Sequence, residues 1–372
     1  MATDVSTDRT KWIGLFVVCF FLFAPASRGQ QSTLVLPSPE KLLREAYART
    51  KAAPREADLT EIIRMCRQAR RAKPSEDVAA YADQLAAWAL NRRGEQYAQQ
   101  AVDLTGQDQQ AKAAEFDAQA LADFQAAAEL DPKNWKALHN RGVSQALAGQ
   151  LNDALKDFSR VVELKPDYAN AWFNRGEVRA DRGEHEQAVA DYTQAIRLKP
   201  EDLDAHVRRG QAYLQLQKLR EALADYDRAV QLAPDQAEPL LDRGDLHRSL
   251  GQWQLAAEDY RRAVALDHRS SRAYQRAAWI LATCPVDRYR NVDLAVQAAE
   301  KALELDGEQD VKYLDTVAAA YANAGQFDKA CETLARAIDT SPADAETFRT
   351  RLALYQRQEP YREPQPRGTA AP

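Results

Sequence analysis

The sequence predicts an all-α fold, an array of antiparallel helical hairpins, and three observations carry that expectation. The tripeptide Asn140-Arg141-Gly142 returns as Asn174-Arg175-Gly176, Arg208-Arg209-Gly210 and Asp242-Arg243-Gly244, each time after 34 residues. Small residues follow at fixed offsets: Ala154, Ala188, Ala222 and Ala256 stand 12 after the glycines, and Val161, Ala195, Ala229 and Ala263 seven further on. A helix breaker then closes the period at Pro166, Pro200 and Pro234, with His268 the exception. Self-similarity at a fixed period of this length marks one supersecondary unit copied and stacked.

Composition agrees. Ala, Leu, Gln, Glu and Arg dominate, all good helix formers, and no run of alternating β-branched residues suggests a sheet. Within each period, helix A carries the glycine and helix B the two small residues, so that large side chains do not hold the pair apart. Gly149, Gly183, Gly251 and Gly325 fall between the helices, where a left-handed residue ends helix A at low cost. The terminal prolines stop helix B, and Asp167 and Asp235 directly after them are candidate caps for the next helix A. Phe158, Tyr192, Tyr226 and Tyr260 are placed to fill the hairpin cores.

Taken in order, residues 1–29 read as a signal peptide. Ile13 to Ala24 is apolar, follows Arg9 and Lys11, and is broken by Pro25 before small residues at Ala24 and Ala26. It is shorter than the roughly 20 residues a spanning helix needs, so cleavage between Ala26 and Gln30 is expected. An uncleaved membrane anchor is the alternative, since Asp4 and Asp8 offset the basic side chains. Residues 30–38 form a linker, and residues 39–361 the repeat array. Pro39 to Pro74 is a degenerate first repeat whose helix B resembles Asp58 to Lys73. Gly94 and Ala120 stand 26 apart in place of 12, and the 14 extra residues divide into about two turns per helix, an elongated hairpin. Ala278 and Ala295 are 17 apart, and Pro285 interrupts them, so Thr283 to Asn291 is expected to be a loop. Ala345 to Gln356 repeats helix A alone, the pattern of a solvating cap. Residues 362–372 are rich in proline and expected to be an unstructured tail.

Small residues at positions 8, 20 and 27 and Pro at position 32 of a 34-residue unit resemble the tetratricopeptide repeat family, and the match runs loosely from Pro39 to about Tyr361. The departures are position 4, where only Trp172 is the preferred Trp, and position 7, where Arg replaces the usual Leu. The resemblance implies a right-handed superhelical solenoid with helix A on the concave face, and a groove there that binds peptides or helices.

Other functions are disfavoured by the residues. The net charge of −5 gives no basic field for phosphate, so nucleic acid is not an expected partner. The five His residues fall at unrelated repeat positions, and no metal-ligand spacing, glycine-rich phosphate loop or nucleophile motif is present. No metal, cofactor, small-molecule substrate or catalytic residue is therefore expected. Cys66 falls where the repeats place a packed aromatic and reads as a buried hydrophobe; Cys284 reads as a small residue in an elongated turn.

The family's groove positions single out His139, Phe173, Asn174, Glu177, Val207, Arg208, Leu241, Asp245 and Trp279. An apolar row (Phe173, Val207, Leu241, Trp279) runs beside an acidic one (Glu177, Asp181, Asp204, Glu238, Asp245), which suits an extended segment with apolar anchors and basic residues. Of the five residues of the chaperone-binding carboxylate clamp, Asn174 and Arg208 match, while His139, Val143 and Asp204 do not. The expected role is a non-catalytic scaffold for a protein or peptide partner, exported to the periplasm or cell envelope of a bacterium. A structural envelope component assembling through its ends and convex face is the alternative.

One further pattern points inward. Arg93, Arg141, Arg175, Arg209 and Arg243 occupy position 7, and Asp123, Asp157, Asp191, Asp225 and Asp259 occupy position 23. In the next two repeats both disappear together, as Ala277 with Ala298 and Val317 with Thr333. Loss in step predicts an Arg–Asp ion pair across helices A and B, a structural ladder that sets hairpin geometry.

Overall fold

The computed structural model describes residues 37–52, 54–106, 109–307, 310–341 and 345–365; the expected signal peptide, with Cys19, lies outside the described residues. Those residues are helical throughout their regular structure. Eight hairpins follow in order: α1 (Pro39–Arg49) with α2 (Glu56–Arg71), α3 (Glu76–Thr105) with α4 (Gln110–Leu130), α5 (Trp135–Leu147) with α6 (Leu151–Leu164), and α7 (Ala169–Asp181) with α8 (His185–Leu198). Then come α9 (Leu203–Gln215) with α10 (Leu219–Leu232), α11 (Ala237–Ser249) with α12 (Trp253–Leu266), α13 (Ser271–Thr283) with α14 (Val292–Asp306), and α15 (Val311–Asn323) with α16 (Phe327–Thr340). A last helix, α17 (Ala345–Gln356), stands without a partner B helix and packs on α16.

The chain divides into two compact units, Met1–Pro200 and Glu201–Pro372. Within each, a B helix packs on its own A helix and on the next one. Successive A helices also touch, α3 with α5 and α5 with α7 in the first unit, α11 with α13 and α13 with α15 in the second. The A helices therefore line the inner side of each stack.

The glycines explain why the hairpins close so tightly. A Cβ built on Gly94, Gly142, Gly176, Gly210 or Gly244 would lie 2.6, 2.9, 2.8, 2.9 or 2.6 Å from a ring carbon of Phe124, Phe158, Tyr192, Tyr226 or Tyr260. Each aromatic of helix B thus lies directly against the bare backbone of helix A. Between the helices, Gly149, Gly183, Gly251 and Gly325 have φ of 74°, 75°, 71° and 72°. In the fifth hairpin the same turn is made by Gln217 at φ 57°.

Two expectations need correction. The caps fall one residue later than Asp167 and Asp235. Asn134, Asp202 and Ser270 accept from the backbone N–H three residues on, at 3.2, 3.2 and 3.1 Å, and the equivalent Tyr168 and Gln236 make no such bond. Asp167 instead meets Lys165 at 2.8 Å. The loop at 283–291 holds one turn of 3₁₀ helix, Asp287–Tyr289. The tail is also not unstructured where it is described: Arg362 and Glu363, beside Tyr361 at the end of the array, dock on the second unit, because a proline-flanked segment that cannot form a helix still finds partners for its polar groups there.

The elongated hairpin takes its extra turns in both helices, as the spacing predicts. In addition α3 begins 18 residues before Gly94, whereas α5 begins seven before Gly142. Leu85 and Ala86 on that extension are buried in one core with Leu59, Ile62 and Ile63 of α2.

Candidate interaction groove

The position-7 arginines and position-23 aspartates meet in all five hairpins. Nε and one terminal nitrogen of each guanidinium donate to the two carboxylate oxygens, at 2.7 and 2.8 Å for Arg93 and Asp123, 2.7 and 2.6 Å for Arg141 and Asp157, and 2.9 and 2.6 Å for Arg175 and Asp191. Arg209 with Asp225 spans 2.8 and 2.7 Å, and Arg243 with Asp259 spans 2.9 and 2.6 Å. Such two-pronged, charge-assisted bonding is the strong form of the interaction. Burial alone would push the Asp225 carboxyl up, but bonds from Arg209 and His206 outweigh it and hold it below its ordinary value. These charges pair with one another inside the hairpins.

On the inner side of the first unit, the polar residues also turn to each other. Asn91 donates to Glu95 at 2.8 Å, and Asn140 donates to Asn91 and Glu95 at 3.1 and 3.2 Å. His139 lies between Asn140 (3.4 Å from Nδ1) and Asn174 (3.0 Å from Nε2). Burial pushes its pKa down to about 4, so the ring is neutral at pH 7. The bonding fits a proton on Nδ1, with Nε2 accepting from the Asn174 amide. Glu177 accepts from the Tyr192 hydroxyl and is buried.

His139, Asn174, Glu177 and Phe173 are therefore not a free lining of the groove. Phe173 packs on Tyr192 with ring centroids 5.7 Å apart, and Leu241 in the second unit is fully buried. His139, Phe173 and Leu241 are thus consumed by packing. Of the remaining predicted residues, Val207 and Arg208 are half-buried, and Arg208 bonds Gln211 at 3.1 Å. In the second unit, Glu238 and Asp245 of the acidic row are answered from within the chain. Arg276 meets Asp245 at 2.9 Å, and Arg272 meets Asp242 at 2.7 Å and also Glu238. Arg272 and Arg276 stand one turn apart on α13 and reach back to α11, which repeat spacing alone does not reveal.

Trp279 is the predicted anchor that does face the inner side, and it is covered. Tyr361 lies against it with centroids 6.0 Å apart, and the Arg351 guanidinium sits 5.0 Å from the Trp279 ring and 4.8 Å from the Tyr361 ring. Trp279 Nε1 donates to Glu363 Oε1 at 2.8 Å, and Arg248 donates to the same oxygen. The Glu363 amide donates to the Thr283 carbonyl at 2.9 Å, while Arg362 reaches the Ala282 carbonyl at 2.9 Å and Asn323 Oδ1 at 3.0 Å. The second unit thus holds an extended stretch of polypeptide across its A helices.

Among the described residues, no group of three or more His, Cys, Asp or Glu is placed to hold a metal ion, and no helix is long and apolar enough to cross a membrane. Burial pushes the Cys66 thiol up to about 12 and raises that of Cys284 as well, which leaves both in the unreactive thiol form.

Comparison with known proteins gives the same repeat. Family profiles described as TPR repeat match residues 146–181 and 176–217, and profiles described as Tetratricopeptide repeat match 203–236 and 317–343. No curated protein matches the chain. Among solved structures, the Cut9–Hcn1 hetero-tetramer of APC/C is similar at a TM-score of 0.50 and 17% identity, covering 84% of this chain and 55% of that one. A tetratricopeptide repeat protein from Parabacteroides merdae is similar at 0.47 and 18%, covering 71% and 98%. YrrB, described as a TPR protein with an unusual peptide-binding site, is similar at 0.42 and 23%, covering 54% and 97%.

Proposed function

The chain belongs to the tetratricopeptide repeat family, and on that premise we propose that it is a non-catalytic scaffold whose A helices receive an extended or helical segment of a partner protein. One observation carries the reading: in the second unit the A helices already bind an extended backbone, gripping an aromatic ring, a carboxylate and a main-chain amide at once. Backbone and side-chain capture together is how extended segments are recognised in general.

The test is affinity capture from envelope extracts, in keeping with the export expected from residues 1–29. The bait is the full chain, compared with an Arg248→Ala, Trp279→Ala variant shown to be folded. Truncating a central aromatic or Arg anchor costs about 2 kcal/mol or more in binding, so the variant should lose its partner. Equal capture by both baits would move the site off these helices. N-terminal sequencing of the recovered bait reads cleavage in the same experiment, and an intact Met1 would rule cleavage out.

A further inference from the structure

The docked stretch narrows that reading, on which this inference rests, to a particular chemistry. After α17 the chain reverses at Gln358, where φ is 63° and the Glu359 amide bonds the Leu354 carbonyl at 3.0 Å. It then runs Glu359-Pro360-Tyr361-Arg362-Glu363-Pro364. Prolines on both sides keep such a stretch extended and reduce the conformational freedom it loses on docking.

The surface that receives it is drawn from four A helices. Arg248 comes from α11, Trp279 with the Ala282 and Thr283 carbonyls from α13, Asn323 from α15 and Arg351 from α17. The two carbonyls belong to the last turn of α13, where the helix has no further N–H to offer them. α13 has the same 13 residues as α11, but the five-residue insertion that follows it replaces the tight turn at Gly251. Three subsites result: an aromatic slot between Trp279 and Arg351, a carbonyl ledge for a basic side chain and a backbone amide, and a carboxylate point at Arg248 and Trp279 Nε1.

The chain's own segment does not saturate this surface. Glu363 receives both of its side-chain bonds on Oε1, while its Oε2, the Arg248 Nε and the Asn323 Nδ2 are buried without a hydrogen-bond partner. Buried polar groups left unmet weaken an association, so an occupant that met them would bind more tightly. Nor is the segment needed to close the array, because α17 already covers α16.

We propose that the inner face of the second unit is a recognition groove for an extended aromatic–basic–acidic segment of another protein, and that Tyr361, Arg362 and Glu363 are the chain's own stand-in, which the partner displaces. Tethered to the groove, the stand-in competes at high effective concentration. It lowers the partner's apparent affinity by the fraction of molecules in which the groove is open.

The experiment uses the full chain and a fluorescein-labelled peptide of residues 359–365, read by fluorescence anisotropy. The Tyr361→Ala, Glu363→Gln variant, with helicity checked by circular dichroism, should bind the peptide roughly tenfold or more tightly than wild type. Adding Trp279→Ala should abolish binding; if that variant fails to fold, Arg248→Ala replaces it. A scrambled peptide should not bind. Equal affinity for wild type and the opened variant, no binding by the opened variant, or equal binding of the scrambled peptide overturns the proposal. Sedimentation showing the opened variant pairing with wild type in preference to peptide would assign the groove to a second copy and overturn it too. Peptide failure with groove-dependent capture intact removes this inference alone. Capture indifferent to Arg248 and Trp279 removes the broader reading instead.

Discussion

Each ladder arginine keeps only 12–21% of its side chain exposed and each partner aspartate 2–9%. An exposed pair is worth about 0–1 kcal/mol, but stranding a buried charge costs roughly 3–5 kcal/mol, and these pairs are nearer the second case. Arg209→Ala should therefore destabilise the protein by about 3 kcal/mol, since Asp225 would keep only His206, 3.1 Å away. A double-mutant cycle with Asp225→Ala, measured by urea unfolding, should show strong coupling at pH 7. Because the Asp225 carboxyl is held below its ordinary value, that coupling is fully present above about pH 4 and is lost as pH falls through the depressed value. A coupling below about 0.5 kcal/mol at pH 7 would reduce the ladder to a passive remnant of duplication. This pairing was legible in the sequence because both partners sit in one repeat and vanish in step. The contact of His139 with Asn174 was not, because it exists only once α5 and α7 are stacked.

At the scale of the element, the period alone located eight hairpins and the capping helix, since glycine, alanine and proline mark close approach and helix ends by steric rules that act locally. The caps were misplaced by one residue because an acidic residue after proline fits an N-cap by type, and only backbone geometry separates Asp167 from Tyr168. The extended start of α3 was illegible because its Ala and Leu residues suit any buried helix. The turn register offers a clean test. Gln217 adopts φ 57° where Gly149, Gly183 and Gly251 take the same turn, and a left-handed side-chain-bearing residue costs roughly 1–2 kcal/mol. Gln217→Gly should stabilise the protein by about 1 kcal/mol, the extra freedom of glycine in the unfolded chain offsetting part of the gain. A thermal-unfolding midpoint that is unchanged or lowered would mean the Gln217 side chain contributes more than its backbone costs.

For the whole molecule, the docking of Tyr361, Arg362 and Glu363 could not be read from the sequence. A proline-rich stretch has no periodicity to reveal partners 84 residues away, as Trp279 and Glu363 are. Stacking alone brings α11, α13, α15 and α17 to one surface. The same stacking governs how the fold fails. In a repeat array each hairpin is stabilised by itself and by its neighbours, so a lesion propagates only as far as the interfaces that transmit it. Gly244→Ala is a suitable lesion, because the new Cβ would lie 2.6 Å from the Tyr260 ring and 3.3 Å from the Asp259 side chain. Helix propensity favours the alanine by at most about 1 kcal/mol, while overpacking a filled core costs about 1–3 kcal/mol, so the variant should be less stable. Amide hydrogen exchange should then accelerate in α11, α12 and the adjoining face of α13. Amides of α3 and α4, which share no core with Tyr260, should keep their wild-type rates. Acceleration spread evenly over both units would show that the chain opens as one cooperative body and would rule out nearest-neighbour propagation here.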